Sequence, residues 1–429
     1  MSAVSASPTR SASRASTPDP GFDVVVLGAG LNALNLCLAF HQEYGIRCTN
    51  VMRVDVGMNM WSITTDPVVV GAEASDDELC TALEELAQNR DPQRPALLLT
   101  NADSLIAFID EHRNRLEKHY RLAQIDSQLL DQLADKARFA EICADLGIAT
   151  PATVVVDFAQ QDAPDWNGAE PLPWQYPCVA KAANTAEYHP ISMPDKRKVF
   201  LLETEQERAD LVSRLQTAGF EGRFLFQELV PGDDTTQRSI TAYRSSRGHV
   251  TLLCAAQVIL GEHTPDALGR PAAMITGAHP DLTASAERFL DAVDYVGFAN
   301  FDVKVDPRDG VEKFFEINPR IGRNSYYVTG AGESVARHIV EDLVHGRDIL
   351  QVTVTRPVLY SILPVRLLLR YVRDSALRMR IRHLARTAMR NPFRYPGEGL
   401  RMRIHALLSG INAVRKYRRF YPRPTETGF

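Results

Sequence analysis

The sequence predicts an α/β (α+β) protein of more than one domain, and three observations carry that expectation. Its 429 residues and 45% apolar composition are enough for two or three full cores. Near the start, the strand pattern FDVVVL at 22–27 runs into Gly28-Ala29-Gly30-Leu31-Asn32-Ala33 and an apolar helix to Phe40. Strand, glycine turn and helix in that order open a doubly wound unit. Far along the chain, 298–305 and 311–318 are rich in β-formers on either side of Asp306-Pro307-Arg308-Asp309-Gly310, the pattern of a β-hairpin.

Residues 1–20 are Ser, Ala, Thr and Pro with two arginines and no apolar run of the kind a secretory signal needs, so they are expected to be disordered. The region 21–130 reads as a Rossmann-like domain, with further strands at 68–70 and 96–100 and helices at 76–88 and 104–122. Its G-x-G-x-x-A match has three readings. It is a dinucleotide turn with Asp55 as the acid, a close approach of helix to strand, or a seat for a small anion. Asp135-Lys136 then opens an amphipathic helix that ends at Gly147, with Pro151 beyond it.

The strand 176–181 delivers Lys181 at its end. A cation on rigid backbone suits a phosphate, although a strand stopping at a solvated lysine reads the same way. The following run holds Asn184, Glu187 and Tyr188 and then the basic Lys196-Arg197-Lys198. Residues 224–234 form a strand leaving through Pro231-Gly232, and strands at 238–243 and 251–260 precede a Gly/Pro-rich polar loop, 261–277. If Val305 pairs with Val311 across the hairpin turn, then Asn300, Asp302, Glu316 and Asn318 share a face. Two carboxylates that close need a counter-charge. A hard cation with oxygen ligands, Mg²⁺ (or Mn²⁺), supplies it and leaves positions for nucleotide phosphates. Arg320 and Arg323 follow at once as fixed positive charge beside those phosphates.

On these residues the chain resembles the ATP-grasp ligases, through F-D-V-K at 301–304 and F-E-I-N-P-R at 315–320. The runs VVVLGAGLNA, AANTAEYH, QELVPGDDTTQR and FFEINPRIGRNSYYVT narrow the resemblance to the carboxylate–amine branch that includes the D-aspartate ligases. The resemblance implies a pre-ATP-grasp domain at 21–130, an ATP-grasp domain at 131–350 with its hinge near 227–234, and a basic helical extension at 351–429. It places Lys136 and Lys181 on the ATP phosphates and Gln227 on the adenine amino group. The backbone of Glu228 and Val230 would lie along the ring and Asp234 (or Asp233) on the ribose. Asp302, Glu316 and Asn318 would hold Mg²⁺, and Arg320 would assist the transferred phosphoryl group. Arg238, Arg270 and Arg323 would lie near a carboxylate-bearing substrate. The implied partners are a small acid, D-aspartate in that branch, and an amine, there the side-chain amine of a peptidoglycan lysine.

Net charge is −5, yet residues 365–429 carry 16 Lys/Arg against 3 Asp/Glu. That segment, the basic extension, reads as a pair of amphipathic helices around NPFRYPGEG. Packing on the body of the protein is one reading, and attachment to an anionic membrane surface through 365–422 is the other. Nucleic acid is not an expected partner, because the rest of the chain is acidic. Six cysteines without regular spacing point to a reducing, cytoplasmic location.

Overall fold

The computed structural model describes residues 19–122, 127–265 and 267–427. Most of the tail expected to be disordered, 1–18, lies outside the described residues. The chain divides into two compact units. One is built from 1–127, 233–300 and 318–429, and the other from 128–232 and 301–317.

The first unit opens with a parallel sheet of β1 (Asp23–Leu27), β2 (Cys48–Met52), β3 (Thr65–Val69), β4 (Ala96–Leu99) and β5 (Arg121–Leu122), in the order β3-β2-β1-β4-β5. The helix Leu31–Tyr44 follows β1 and is buried from Leu31 through Phe40 except at Asn32. Gly28 and Gly30 have φ of 114° and 78°, the left-handed region that only glycine enters cheaply, so the turn needs them for backbone reasons alone. Gly28 N–H donates to Val51 O at 2.8 Å, and Gly30 N–H donates to the buried Asn59 Oδ1 at 2.7 Å. Both of these glycine amides are therefore held by the protein itself. Asp55 is exposed on the loop after β2.

The second unit holds an antiparallel sheet of β6 (Thr153–Asp157), β7 (Cys178–Ala182), β8 (Phe200–Leu202) and β9 (Arg223–Glu228), in the order β6-β9-β7-β8. Phe158, Phe220, Phe224, Phe226 and Tyr188 fill its core with edge-on and tilted rings.

A larger sheet follows, from β10 (Gln237–Arg244), β11 (Val250–Gly261), β12 (Pro271–Thr276), β13 (Gly297–Val305), β14 (Glu312–Asn318), β15 (Val352–Val354), β16 (Leu359–Ser361) and β17 (Met389–Arg390). Its order is β14-β13-β10-β11-β12-β16-β17, with β15 beside β11. The boundary between the units passes through β13 and β14. The basic C-terminal region is not a separate body. Leu367, Leu368, Ile381, Met402, Tyr417 and Tyr421 belong to the same buried cluster as Phe22 and Phe40.

The hairpin closes one residue later than the pairing of Val305 with Val311 requires. Asp306 N–H donates to Val311 O at 2.8 Å, and Gly310, at φ 77°, donates to Asp306 O. Beyond it, β14 does not alternate strictly. Phe314 and Ile317, three apart, are both buried, so period-2 reasoning does not carry through the strand.

Candidate active site

In the second unit, the helix Lys136–Asp145 is capped by Asp135, whose Oδ1 accepts from the N–H groups of Ala137 and Arg138. The cap fixes where Lys136 starts. Its Nζ lies 3.5 Å from Glu316 Oε2 on β14. Lys181 comes from β7, with its ammonium 5.8 Å from the centre of the Phe315 ring. Burial draws the Lys181 ammonium down to about 8, opposed by Glu316 and Asp302 and aided by Lys136 and Lys198. Burial pushes the Glu316 carboxyl up, but Lys136, Lys181 and Lys198 outweigh it and hold the group below its usual range. Three ammonium groups thus act on Glu316, Lys136 from a helix, Lys181 from β7 and Lys198 from the loop before β8. Glu316 keeps 34% of its side-chain surface open, so the cluster is accessible.

Lys196 has a different task. Its Nζ donates to His189 O and Ile191 O, both at 2.7 Å, and sits 4.7 Å above the Tyr188 ring, closing the loop it belongs to. On β9, the buried Gln227 donates through Nε2 to Thr153 Oγ1 at 2.9 Å, while its Oε1 has no donor among the described residues. The Glu228 carboxylate is held by Arg308 at 2.7 Å and Lys313 at 3.6 Å. Arg308 and Lys313 also grip Asp306, which is fully buried. The Val230 carbonyl accepts from Lys304 Nζ at 2.8 Å.

In the first unit, Asn318 donates to Asn300 O at 3.4 Å and accepts from Arg320 Nη2 at 3.1 Å. Arg320 also pairs with Asp103, Nε to Oδ1 at 2.6 Å. Asn300 is buried and accepts from Ser239 and Thr241. Arg323 Nη1 meets Glu262 at 2.8 Å on the wall of a cavity of about 240 Å³, which His263, Thr264 and Lys416 also line. Thr264 Oγ1 is buried there with no partner among the described residues.

No protein-family model matches the chain. D-aspartate ligase of Enterococcus faecium (strain Aus0004) is 28% identical over 361 residues, covering 82% of this chain and 85% of that protein. Of solved structures, N5-carboxyaminoimidazole ribonucleotide synthetase from Thermus thermophilus matches with a TM-score of 0.53 at 20% identity, over 78% of this chain and 80% of that one. The biotin carboxylase domain of the Hydrogenobacter thermophilus 2-oxoglutarate carboxylase, solved with MgADP, ADP and bicarbonate, gives 0.54 at 13% identity, over 78% and 72%.

The fold is ATP-grasp.

Against the positions that the ATP-grasp resemblance singles out, the structure brings together Lys136, Lys181, Glu316 and, through its field, Asp302. The orphaned Gln227 Oε1 lies on β9. Several of the expected positions also carry contacts within the protein. Asp234 is buried, and its Oδ2 accepts from Gly261 N–H at 2.7 Å and bonds His263 Nε2 at 2.9 Å, so this carboxylate holds the loop after β11. Asp233 Oδ1 caps the turn at Thr235. The Val230 carbonyl accepts from Lys304 Nζ. Arg238 is turned onto Thr235 O and Gln237 O, and Arg270 is exposed. Asp103, Glu262 and Asn59 escaped sequence reasoning. Each acts on a partner at least 29 residues away, and no local pattern marks it.

Among the described residues, no three His, Cys, Asp or Glu side chains converge as metal ligands. The ATP-grasp set of two carboxylates and one amide is of another kind, suited to Mg²⁺ that keeps water and phosphate oxygens.

Proposed function

We propose that the protein is an ATP-dependent, ADP-forming carboxylate–amine ligase, that its acid is D-aspartate, and that its amine is the side-chain amine of a lysine in a peptidoglycan stem peptide. The observation that carries the reading is the cluster of Lys136, Lys181 and Lys198 around Glu316 and Asp302 in an ATP-grasp fold. Its surplus of positive charge suits a triphosphate. The buried Gln227 Oε1, without a donor among the described residues, suits an adenine amino group. Asp302, Glu316 and Asn318 would hold Mg²⁺, which when bound neutralises charge on the phosphate oxygens.

In the first step, an oxygen of the substrate carboxylate attacks the γ-phosphorus. The bond from that phosphorus to the β,γ-bridging oxygen breaks, and ADP leaves. Lys136 and Lys181 hold the phosphate oxygens, and Arg320 stabilises the charge that spreads over the transferred group. In the second step, the amine nitrogen attacks the carbonyl carbon of the acyl phosphate, its C–O bond to phosphate breaks, and an amide and phosphate result. The acid's own place is the cavity at Arg323. Arg323 and Lys416 supply positive charge for the carboxylate that does not react, Glu262 accepts from the ammonium, and Thr264 offers its unpaired hydroxyl. Six free, buried cysteines suit a cytoplasmic enzyme.

Phosphate release from ATP, screened over D- and L-amino acids with hydroxylamine as the amine, tests the reading. D-Asp is expected to react fastest and to give the β-hydroxamate. Gly and D-Ala lack the second carboxylate that the cationic groups of the cavity would receive, and L-Asp misplaces the amine or the β-carboxylate, so all three should be far slower. Equal rates with L-Asp or D-Ala would remove the D-aspartate assignment and leave the ligase. No ATP turnover with any acid would remove both.

A further inference from the structure

The helix Leu400–Phe420 turns an apolar face outward. On its inner side Met402 and Tyr417 are buried in the core of their own unit. On the other side Leu400, Ile404, Leu407, Leu408 and Ile411 are 73%, 48%, 59%, 57% and 44% exposed. Spacings of four, three, one and three residues put these five side chains in one stripe along three turns. Large apolar residues scattered singly on a surface need no explanation, but five contiguous ones do.

The charges beside the stripe say what covers it. Arg401 and Arg403 flank it on either side, and Arg415, Arg418 and Arg419 continue the exposed face. The helix contains six cations and no Asp or Glu. A second copy docked face to face would bring twelve like charges together, six from each helix, whereas an anionic lipid surface complements both parts of the face. Trp61, 41% exposed, lies beside the helix with its ring 6.2 Å from that of His405, and an amphipathic aromatic ring is at home at a lipid headgroup boundary. No helix among the described residues is long and apolar enough to cross a membrane, so the mode is in-plane.

We infer that Leu400–Phe420 lies in the headgroup–acyl boundary of an anionic bilayer, with the Leu400–Ile411 stripe inserted and the arginines on the phosphates. This goes beyond the proposed ligase activity and does not depend on it.

The test uses the full chain with vesicles of phosphatidylcholine alone or mixed with phosphatidylglycerol. Co-sedimentation is expected with the anionic vesicles and should fall steeply with salt, while neutral vesicles bind little. Tryptophan emission should shift to the blue on binding, and Trp61→Phe should remove that shift. The double variant Leu407→Glu/Leu408→Glu should weaken partitioning by about tenfold or more. Its Tm should not change, because both side chains are more than half exposed. Absence of binding to anionic vesicles at low salt would overturn the inference, as would equal binding by the double variant. A wild-type dimer that this variant separates, seen by light scattering, would give the face to a second copy and overturn it too.

Discussion

Lys181 is poised between opposing forces, and two experiments follow from that. Burial and the nearby Lys136 and Lys198 bring its pKa from 10.5 to about 8, against the pull of Glu316 and Asp302. The folded value lies below the unfolded one. Between about 8 and 10.5 the unfolded chain therefore holds the extra proton, and this residue's contribution to stability rises with pH across that window. Affinity for ATP should move the other way. Only the ammonium form holds a phosphate, so ATP should bind more weakly as pH rises through about 8. Lys181→Arg should flatten that profile and Lys181→Ala should weaken ATP at every pH, both measurable with a fluorescent nucleotide. A wild-type profile that is flat from about pH 7 to 9 would remove Lys181 from the phosphate site. The carboxylates give the second experiment. Asp302→Ala and Glu316→Ala should keep the native circular dichroism and lose Mg²⁺-dependent ADP formation by about a hundredfold or more. Turnover near the wild-type rate in either variant would sink the metal assignment.

The hairpin of β13 and β14 is held by an ion network as well as by its ladder. Asp306 is fully buried between Arg308 and Lys313, and both cations also reach Glu228 on β9. Hydrogen bonds from Arg308, with help from Lys313, overcome burial and keep the Asp306 carboxyl well below its usual range. Its stabilising contribution is therefore present above the unfolded carboxylate pKa and is lost as pH falls. Asp306→Ala should cost about 2–3 kcal/mol in urea denaturation, a figure reduced because Arg308 is half exposed. An unchanged midpoint would show that the network adds nothing. Much of this element was legible in advance, since alternating β-formers around Pro-Arg-Asp-Gly fix the hairpin and place Asp302 and Glu316 on it. The closing pair was not, because a left-handed Gly310 lets the first strand run one residue further before the chain turns. The burial of Asp234 was not legible, for another reason. An acidic turn looks solvent-facing in sequence, and its partner His263 arrives from 29 residues away. The short strand β2, CTNVM, has too little apolar alternation to announce itself, although β1 and β3 enclose it.

At the scale of the whole chain, one buried cluster joins Phe22, Val24 and Phe40 to Met402, Tyr417 and Tyr421. The last helix therefore completes the core that the first strand begins. Its tyrosines also reach the loop after β11. Tyr417 donates to Gly261 O, and Tyr421 stacks on His263 with ring centres 3.6 Å apart. Ending the chain after Gly399 should leave the first unit unable to fold and the product in inclusion bodies, checked by expression and solubility. A soluble truncation with a cooperative melt would refute this reading. The same cluster also bears on how the protein is made. A ribosome adding about 5–20 residues per second completes the first sheet early, but that sheet then waits for roughly another 300 residues, some 15–60 seconds, before Tyr417 emerges. During that interval the face of the cluster that the last helix completes lacks part of its native cover, so the nascent chain is a natural client for chaperones that bind exposed hydrophobic segments.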